Sequence, residues 1–136
     1  MFDFPGFHVG IDLEVVRRFN STADGIALRN RVLSAAELAI AVQLSEARLA
    51  EFVAGRFAAK EAVVKALRLT LGDGSILRDI EVLRRDDGSP VLALHARANE
   101  AANLAGLGQG QVSISHSGGF ACAIAIFLAK TENIPK

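Results

Sequence analysis

Tryptophan and tyrosine are both missing from this sequence of 136 residues, and eight phenylalanines supply all of its aromatic content. Polar aromatic platforms of the kind that stack single-stranded nucleic acid are therefore not available, which leaves only phenylalanine to stack. One cysteine, Cys122, rules out an internal disulfide. It lies in the apolar run Phe120 to Leu128 and is expected to be a small core residue of a protein in a reducing cytoplasm. Formal net charge is zero, so no global field gathers nucleic acid or an anionic membrane, and any pull on anions has to be local. The longest apolar run, Phe120 to Ala129, is too short to span a bilayer. The N-terminus lacks the basic-then-apolar order of a signal peptide. Dinucleotide fingerprints, P-loops, Cys-x-x-Cys pairs, repeats and low-complexity tracts are absent as well.

What is present is a hydrophobic content of 51% with 22% charged residues, the balance of a globular chain. Residues 1–136 contain no linker and are expected to form one domain with a core of useful size. The dominant stretch is Glu51 to Leu67. Alanines and straight-chain residues fill it and no proline interrupts it, so it reads as one long helix. At 100° per residue Val53, Phe57 and Val64 share one side, Phe52, Val63 and Leu67 a second arc, and four alanines most of the rest. A helix apolar nearly all round is buried on most sides. Arg56, Lys60, Glu61 and Lys65 nevertheless sit inside it, and an unpaired buried charge is expensive. Either these groups neutralise one another, or a polyanion and a metal ion complete them.

Taken in order, Met1 to Gly6 is a loose lead-in and Phe7 to Leu13 alternates as a half-buried strand, with Gly10 permitting close backbone approach. Glu14 to Phe19 reads as a short helix and Asn20 to Gly25 as a loop. Ser34 and Glu37 spell a capping box that starts a helix running to about Leu44. Ser45 is expected to cap the central helix, which continues to around Leu71 before Gly72-Asp73-Gly74 stops it. Asp79 to Arg84 and Val91 to His95 form a hairpin about Asp86 to Pro90, Ala96 to Leu107 a helix, and Gln111 to His116 with Phe120 to Leu128 a second hairpin. The result is an α+β domain in which an antiparallel sheet packs against a long central helix.

Several residues admit two readings. Glu61 and Lys65 have the favoured i, i+4 order for a surface ion pair, and Asp12 can simply close its strand and cap the next helix. Alternatively Asp12 and Glu61 hold a divalent cation, since two carboxylates plus water and phosphate oxygens is how magnesium is usually bound. Arg56 and Lys60, one turn apart, are either a solvated basic edge or, with Lys65, a phosphate cluster. His116 ends a strand whose serines alternate with apolar residues. A Ser115, His116, Asp12 hydrolase can be assembled on paper, but no nucleophile-elbow sequence supports it.

Together these pieces resemble the 4′-phosphopantetheinyl transferases, most closely the short bacterial holo-acyl-carrier-protein synthases. Gly10-Ile11-Asp12-Leu13-Glu14 with Arg18 is similar to the opening motif. Gly55 to Ala62 followed by Lys65-Ala66-Leu67 resembles the signature helix, Asp79 to Val82 with Gly88-x-Pro90 the middle hairpin, and Val112 to Ser117 the closing one. The resemblance implies the phosphopantetheinyl transferase fold and transfer of phosphopantetheine from coenzyme A to a serine of an acyl carrier protein, releasing adenosine 3′,5′-bisphosphate. It implies magnesium on Asp12 and Glu61, nucleotide phosphates on Arg56 and His116, and the pyrophosphate on Lys65, which also serves as proton shuttle. The serine proton goes either to a metal-bound hydroxide or to a carboxylate such as Glu61, and Arg18 lies where the carrier docks. It further implies a cytoplasmic homotrimer with active sites between subunits. Arg68-Leu69-Thr70-Leu71 stands where the family commonly has a glycine-containing turn, and Val63 where many members carry an aromatic. Two alternatives remain: a non-catalytic trimer that binds coenzyme A or another nucleotide, and a structural domain in which Glu61 and Lys65 pair with each other.

Overall fold

A computed structural model describes residues 6–70 and 75–130. Strand β1 (Phe7–Val15) leads through a 3-10 turn (Val16–Phe19) to helices α1 (Ala23–Val32), α2 (Ala35–Ala41) and α3 (Glu46–Ala66). A second 3-10 turn (Ser75–Asp79) precedes the hairpin β2 (Ile80–Arg84) and β3 (Pro90–Leu94). Helix α4 (Ala96–Leu104) and the hairpin β4 (Leu107–Ser117) and β5 (Phe120–Ala129) come next. β1, β5 and β4 form one antiparallel sheet in that order, and β2 and β3 form a separate antiparallel pair. The α+β architecture with a central helix is therefore as expected. No helix among the described residues is long and apolar enough to cross a membrane.

α3 is buried from Phe52 to Ala66 except at Phe57, Glu61 and Lys65. Small residues allow this. Ala58, Ala59 and Ala62 on the helix and Ala121, Ala123 and Ala125 on β5 are all buried. At Gly10 the approach is closest, because a Cβ there would lie 1.9 Å from the Ala62 carbonyl oxygen. On β1 it is the side carrying His8, Gly10, Asp12 and Glu14 that turns to the helix, with His8 Nδ1 donating to the Ala66 carbonyl at 2.9 Å. The apolar side faces outward: Ile11 is 60% and Leu13 61% exposed. Cys122 pairs with Leu13 on that outward side and is only partly buried, so it is not the core residue anticipated from its apolar run.

Other boundaries differ for local reasons. Glu14 and Val15 continue β1, and only Val16–Phe19 turns. Helix α1 begins inside the segment read as a loop, capped by Thr22, whose Oγ1 accepts from the Gly25 amide at 3.1 Å. It buries only Gly25 and Val32, so its periodicity is faint. The Ser34–Glu37 capping box forms in both directions, but α2 ends at Ala41 rather than Leu44, and α4 at Leu104 rather than Leu107. Ser45 occupies the N-cap of α3 without a side-chain hydrogen bond. α3 stops at Ala66 because Arg68 turns left-handed, φ 57°. The Arg68 amide then donates to the Lys65 carbonyl at 3.0 Å and the Leu69 amide to that of Val64 at 3.1 Å. This closure satisfies the last helical carbonyls. The helix thus ends five residues short of the expected Leu71, while the expected stop at Gly72-Asp73-Gly74 and most of the Met1 to Gly6 lead-in lie outside the described residues.

Because backbone rather than a flexible side chain meets the added methyl, Gly10→Ala is expected to lower unfolding stability by about 3 kcal/mol. Urea denaturation of the two proteins measures this, and a loss below about 0.5 kcal/mol contradicts the close approach.

Candidate active site

The charges embedded in α3 are disposed of in three different ways. Lys60, fully buried, is neutralised internally: its Nζ donates to Glu37 Oε1 at 2.6 Å and to the Val32 carbonyl at 2.5 Å. Burial lowers its pKa while Glu37 opposes that shift. Lys60 thus belongs to the core and not to a phosphate cluster.

Arg56 is 6% exposed, and its guanidinium lies 4.2 Å from the centre of the Phe52 ring. Its Nε donates to the Val82 carbonyl at 3.1 Å, while Nη2 is buried without a partner. Burial pulls its pKa down to about 10, with Glu37 opposing and Arg84 adding to the shift. Arg56 lines a cavity of about 260 Å³ together with Arg48, Arg84, His116, Glu51, Phe52 and Ile114, among others. Three guanidinium groups and an imidazole around apolar walls suit an anionic ligand with a flat apolar part. His116 is held by donation from Nε2 to the Glu51 carbonyl at 2.8 Å. A methyl at position 55 would come 2.9 Å from the same Nε2. Glycine in mid-helix costs about 1 kcal/mol relative to alanine, and here it makes room for the imidazole.

Glu61 and Lys65 belong to a second cluster. Lys65 Nζ donates to the Ile11 carbonyl at 2.9 Å and to Asp12 Oδ1 at 3.2 Å, so its ion pair is with Asp12. Asp12 Oδ2 is buried and has no partner. Glu14, on the same side of β1, accepts from Arg18 Nη1 at 3.0 Å. Burial and then the charge of Asp12 push the Glu14 carboxyl up to about 7, against the pull of Arg18. Glu61 is raised by burial and by Asp12, with Lys65 and Arg18 opposing. Carboxylates that repel one another beside an unsatisfied buried oxygen fit a divalent cation. Among the described residues no three His, Cys, Asp or Glu side chains form a ready metal cage. Magnesium completed by water and phosphate oxygens does not require one.

The profile of the 4′-phosphopantetheinyl transferase superfamily matches residues 8–125. The chain belongs to that superfamily. The holo-[acyl-carrier-protein] synthase of Moorella thermoacetica is 42% identical over 118 residues, covering 86% of this chain and 90% of its own length. That of Geobacter sulfurreducens is 34% identical over 122 residues, 88% of this chain and 95% of its own. The crystal structure of the Bacillus anthracis synthase, in complex with CoA (3′,5′-ADP), has a TM-score of 0.75 at 34% identity. The match covers 92% of this chain and 99% of that one. The family and fold expected from the motifs are thus both found.

Within this transferase the expected residues fall into two groups rather than one. Asp12, Glu61, Lys65 and Arg18 gather at β1 and the 3-10 turn, whereas Arg56 and His116 face the cavity, whose lining includes none of the first group. Arg56 and Glu61 are five residues apart, which on a helix means about 140° and ~7.5 Å. Arg18 is half exposed, with its guanidinium 5.7 Å from the Phe57 ring centre. No hydrolase triad forms, because His116 Nε2 is taken by Glu51 and Asp12 by Lys65. Sequence reasoning missed Arg48, Arg84, Glu14 and Glu37. Arg48 was reachable, since Arg48, Phe52 and Arg56 recur every four residues on one helical face. Glu14 was reachable too, being two residues from Asp12 on a strand.

A carboxyl raised from 4.5 to about 7 makes the folded chain hold a proton that the unfolded chain has released. This contribution is fully present below pH 4.5 and is lost as pH rises through about 7. In metal-free buffer, unfolding stability is expected to fall across that window, and Glu14→Gln to flatten the fall. Chemical denaturation at a series of pH values tests this; equal slopes contradict it.

Proposed function

We propose that this chain transfers 4′-phosphopantetheine from coenzyme A to a serine of an apo acyl carrier protein, releasing adenosine 3′,5′-bisphosphate. The observation that carries the reading is the division of chemistry across α3. One side presents guanidinium groups and an imidazole to a cavity, and the other presents carboxylates and a lysine. A diphosphate donor with a bisphosphorylated leaving group requires both.

Arg56 and His116 hold the nucleotide phosphates, and the fork of Arg56 is already oriented by Phe52 and Val82. Asp12 and Glu61 would hold magnesium, which would supply positive charge to offset what gathers on the phosphate oxygens. Lys65, half exposed and anchored by Asp12 and the Ile11 carbonyl, meets the diphosphate. As the serine oxygen bonds to the β-phosphorus, the bond to the bisphosphate breaks and the serine gives up its proton. Glu61, made more basic by burial and by Asp12, accepts that proton; Lys65 gives one of its own to the departing bisphosphate and then takes the proton from Glu61. Arg18, at the rim, meets the acidic carrier. The free thiol of Cys122 suits a cytoplasmic setting.

The two half-sites meet across copies of the chain in a homotrimer. The support is the outward sheet face, where Val9, Ile11 and Leu13 of β1 stand beside Ile124, Ile126 and Leu128 of β5, all exposed in the single chain. Contiguous apolar surface of this kind marks an interaction site. Ile11 and Leu13 alternate with Asp12 on β1, so a copy seated on that face lies across the strand from the acidic cluster.

Apo carrier, coenzyme A, magnesium and this protein are expected to yield a carrier heavier by one phosphopantetheine in a mass spectrum, and Glu61→Ala to abolish the gain. Nucleotide binding without any transfer overturns the reading. A further expectation concerns mixed chains. Arg56→Gln and Glu61→Ala proteins, each inactive, should regain activity when denatured and reassembled together at equal amounts, with about a quarter of the shared sites intact. No recovery from the mixture shows that each site is built from one chain.

A further inference from the structure

We propose that Glu37, buried on α2 and outside the anion cavity, positions Arg56 through the backbone of Val82. This rests on the reading of the cavity as the nucleotide site.

Glu37 is fully buried and each of its oxygens is committed. Oε1 accepts from the Ser34 amide at 2.7 Å and from Lys60 Nζ at 2.6 Å. Oε2 reaches across to β2 and accepts from the Val82 amide at 2.8 Å. On the same edge of β2, the Val82 carbonyl accepts from Arg56 Nε at 3.1 Å. Among the described residues β2 pairs with β3 alone, so this edge is open to side chains. At Val82 that edge is closed by one carboxylate and one guanidinium in place of a neighbouring strand.

The orientation of Arg56 therefore depends on two supports. Phe52 fixes the plane of the guanidinium from its own helix. Val82 fixes the rotation within that plane, and Val82 is itself held by Glu37. With Nε committed to Val82, the fork can turn no further without losing that bond, and Nη2 is buried without a partner. A planar fork recognises phosphate oxygens only at a narrow set of angles. Releasing the Val82 amide thus misaligns the fork without removing a single atom from the cavity. Charge works the same way: Glu37 is the nearby anion for both Lys60 and Arg56, so these three groups retain one positive charge for a ligand to meet. Glu37 is a positioning residue in this account and touches no substrate.

Replacing Glu37 alone strands Lys60 as a buried cation, so the informative protein is Glu37→Gln/Lys60→Met, which removes both charges and leaves one side-chain oxygen for the Ser34 cap. Calorimetric titration of the assembled protein with adenosine 3′,5′-bisphosphate is compared with Arg56→Gln and with the triple variant. The double variant is expected to bind about tenfold more weakly and to raise the KM for coenzyme A similarly, with kcat within about threefold and the carrier KM unmoved. Added to Arg56→Gln, it should cause no further loss, since both act through one fork. Losses that multiply, or affinity within about twofold of the parent, overturn the proposal. If the double variant does not fold, Glu37→Asp keeps the charge beside Lys60 but is too short to reach Val82 as well, and the same criteria apply. Bisphosphate that fails to bind the parent, or binds it independently of Arg56, defeats the nucleotide-site reading instead. Binding that depends on Arg56 and ignores Glu37 defeats this proposal alone.

Discussion

Four ionic side chains on the largely buried stretch of α3 from Phe52 to Ala66 form the constraint around which the molecule is arranged. Each is accommodated differently, and each accommodation fixes a neighbour. Lys60 requires a full counter-charge in the interior, and meeting that need brings α2 against α3 through Glu37. A buried ion pair of this kind is weak evidence for stability but strong evidence for register, because its desolvation is offset only in good geometry. Arg56 is only partly satisfied, which is tolerable beside a cavity and costly elsewhere. Glu61 and Lys65 lie at the rim, where Asp12 on β1 supplies the partner for one and the repulsion for the other.

Close approach of the sheet makes this arrangement possible. Gly10 and the alanines of β5 allow α3 to lie against β1 so tightly that Lys65 reaches a backbone carbonyl on that strand. A larger residue at any of these points would lift the strand and carry Asp12 away from the lysine. The small residues of the helix and the acidic residue of the strand thus belong to one requirement, although they lie about fifty positions apart in the chain.

Much of this was legible before any coordinates. The central helix, both hairpins, the Ser34 capping box and the convergence of Asp12 and Glu61 come from local spacing combined with the family motifs, whereas the ion pair of Lys65 with Asp12 does not. Three things were hidden because they depend on tertiary contact. The apolar alternation of β1 gave the period but not the side, and the side facing α3 is the polar one. Lys60 looked like a neighbour of Arg56 because helical spacing says nothing about Glu37, which lies 23 residues away in sequence. The end of α3 was set by a left-handed arginine, a conformation that sequence assigns to glycine.

Cys122 occupies the outward sheet face opposite Leu13, with Ser115 on its other flank. In the proposed homotrimer a thiol in that location works as a natural probe of encounter between copies. Its rate of alkylation would then track the fraction of time the face spends uncovered, giving a dissociation constant without any added label.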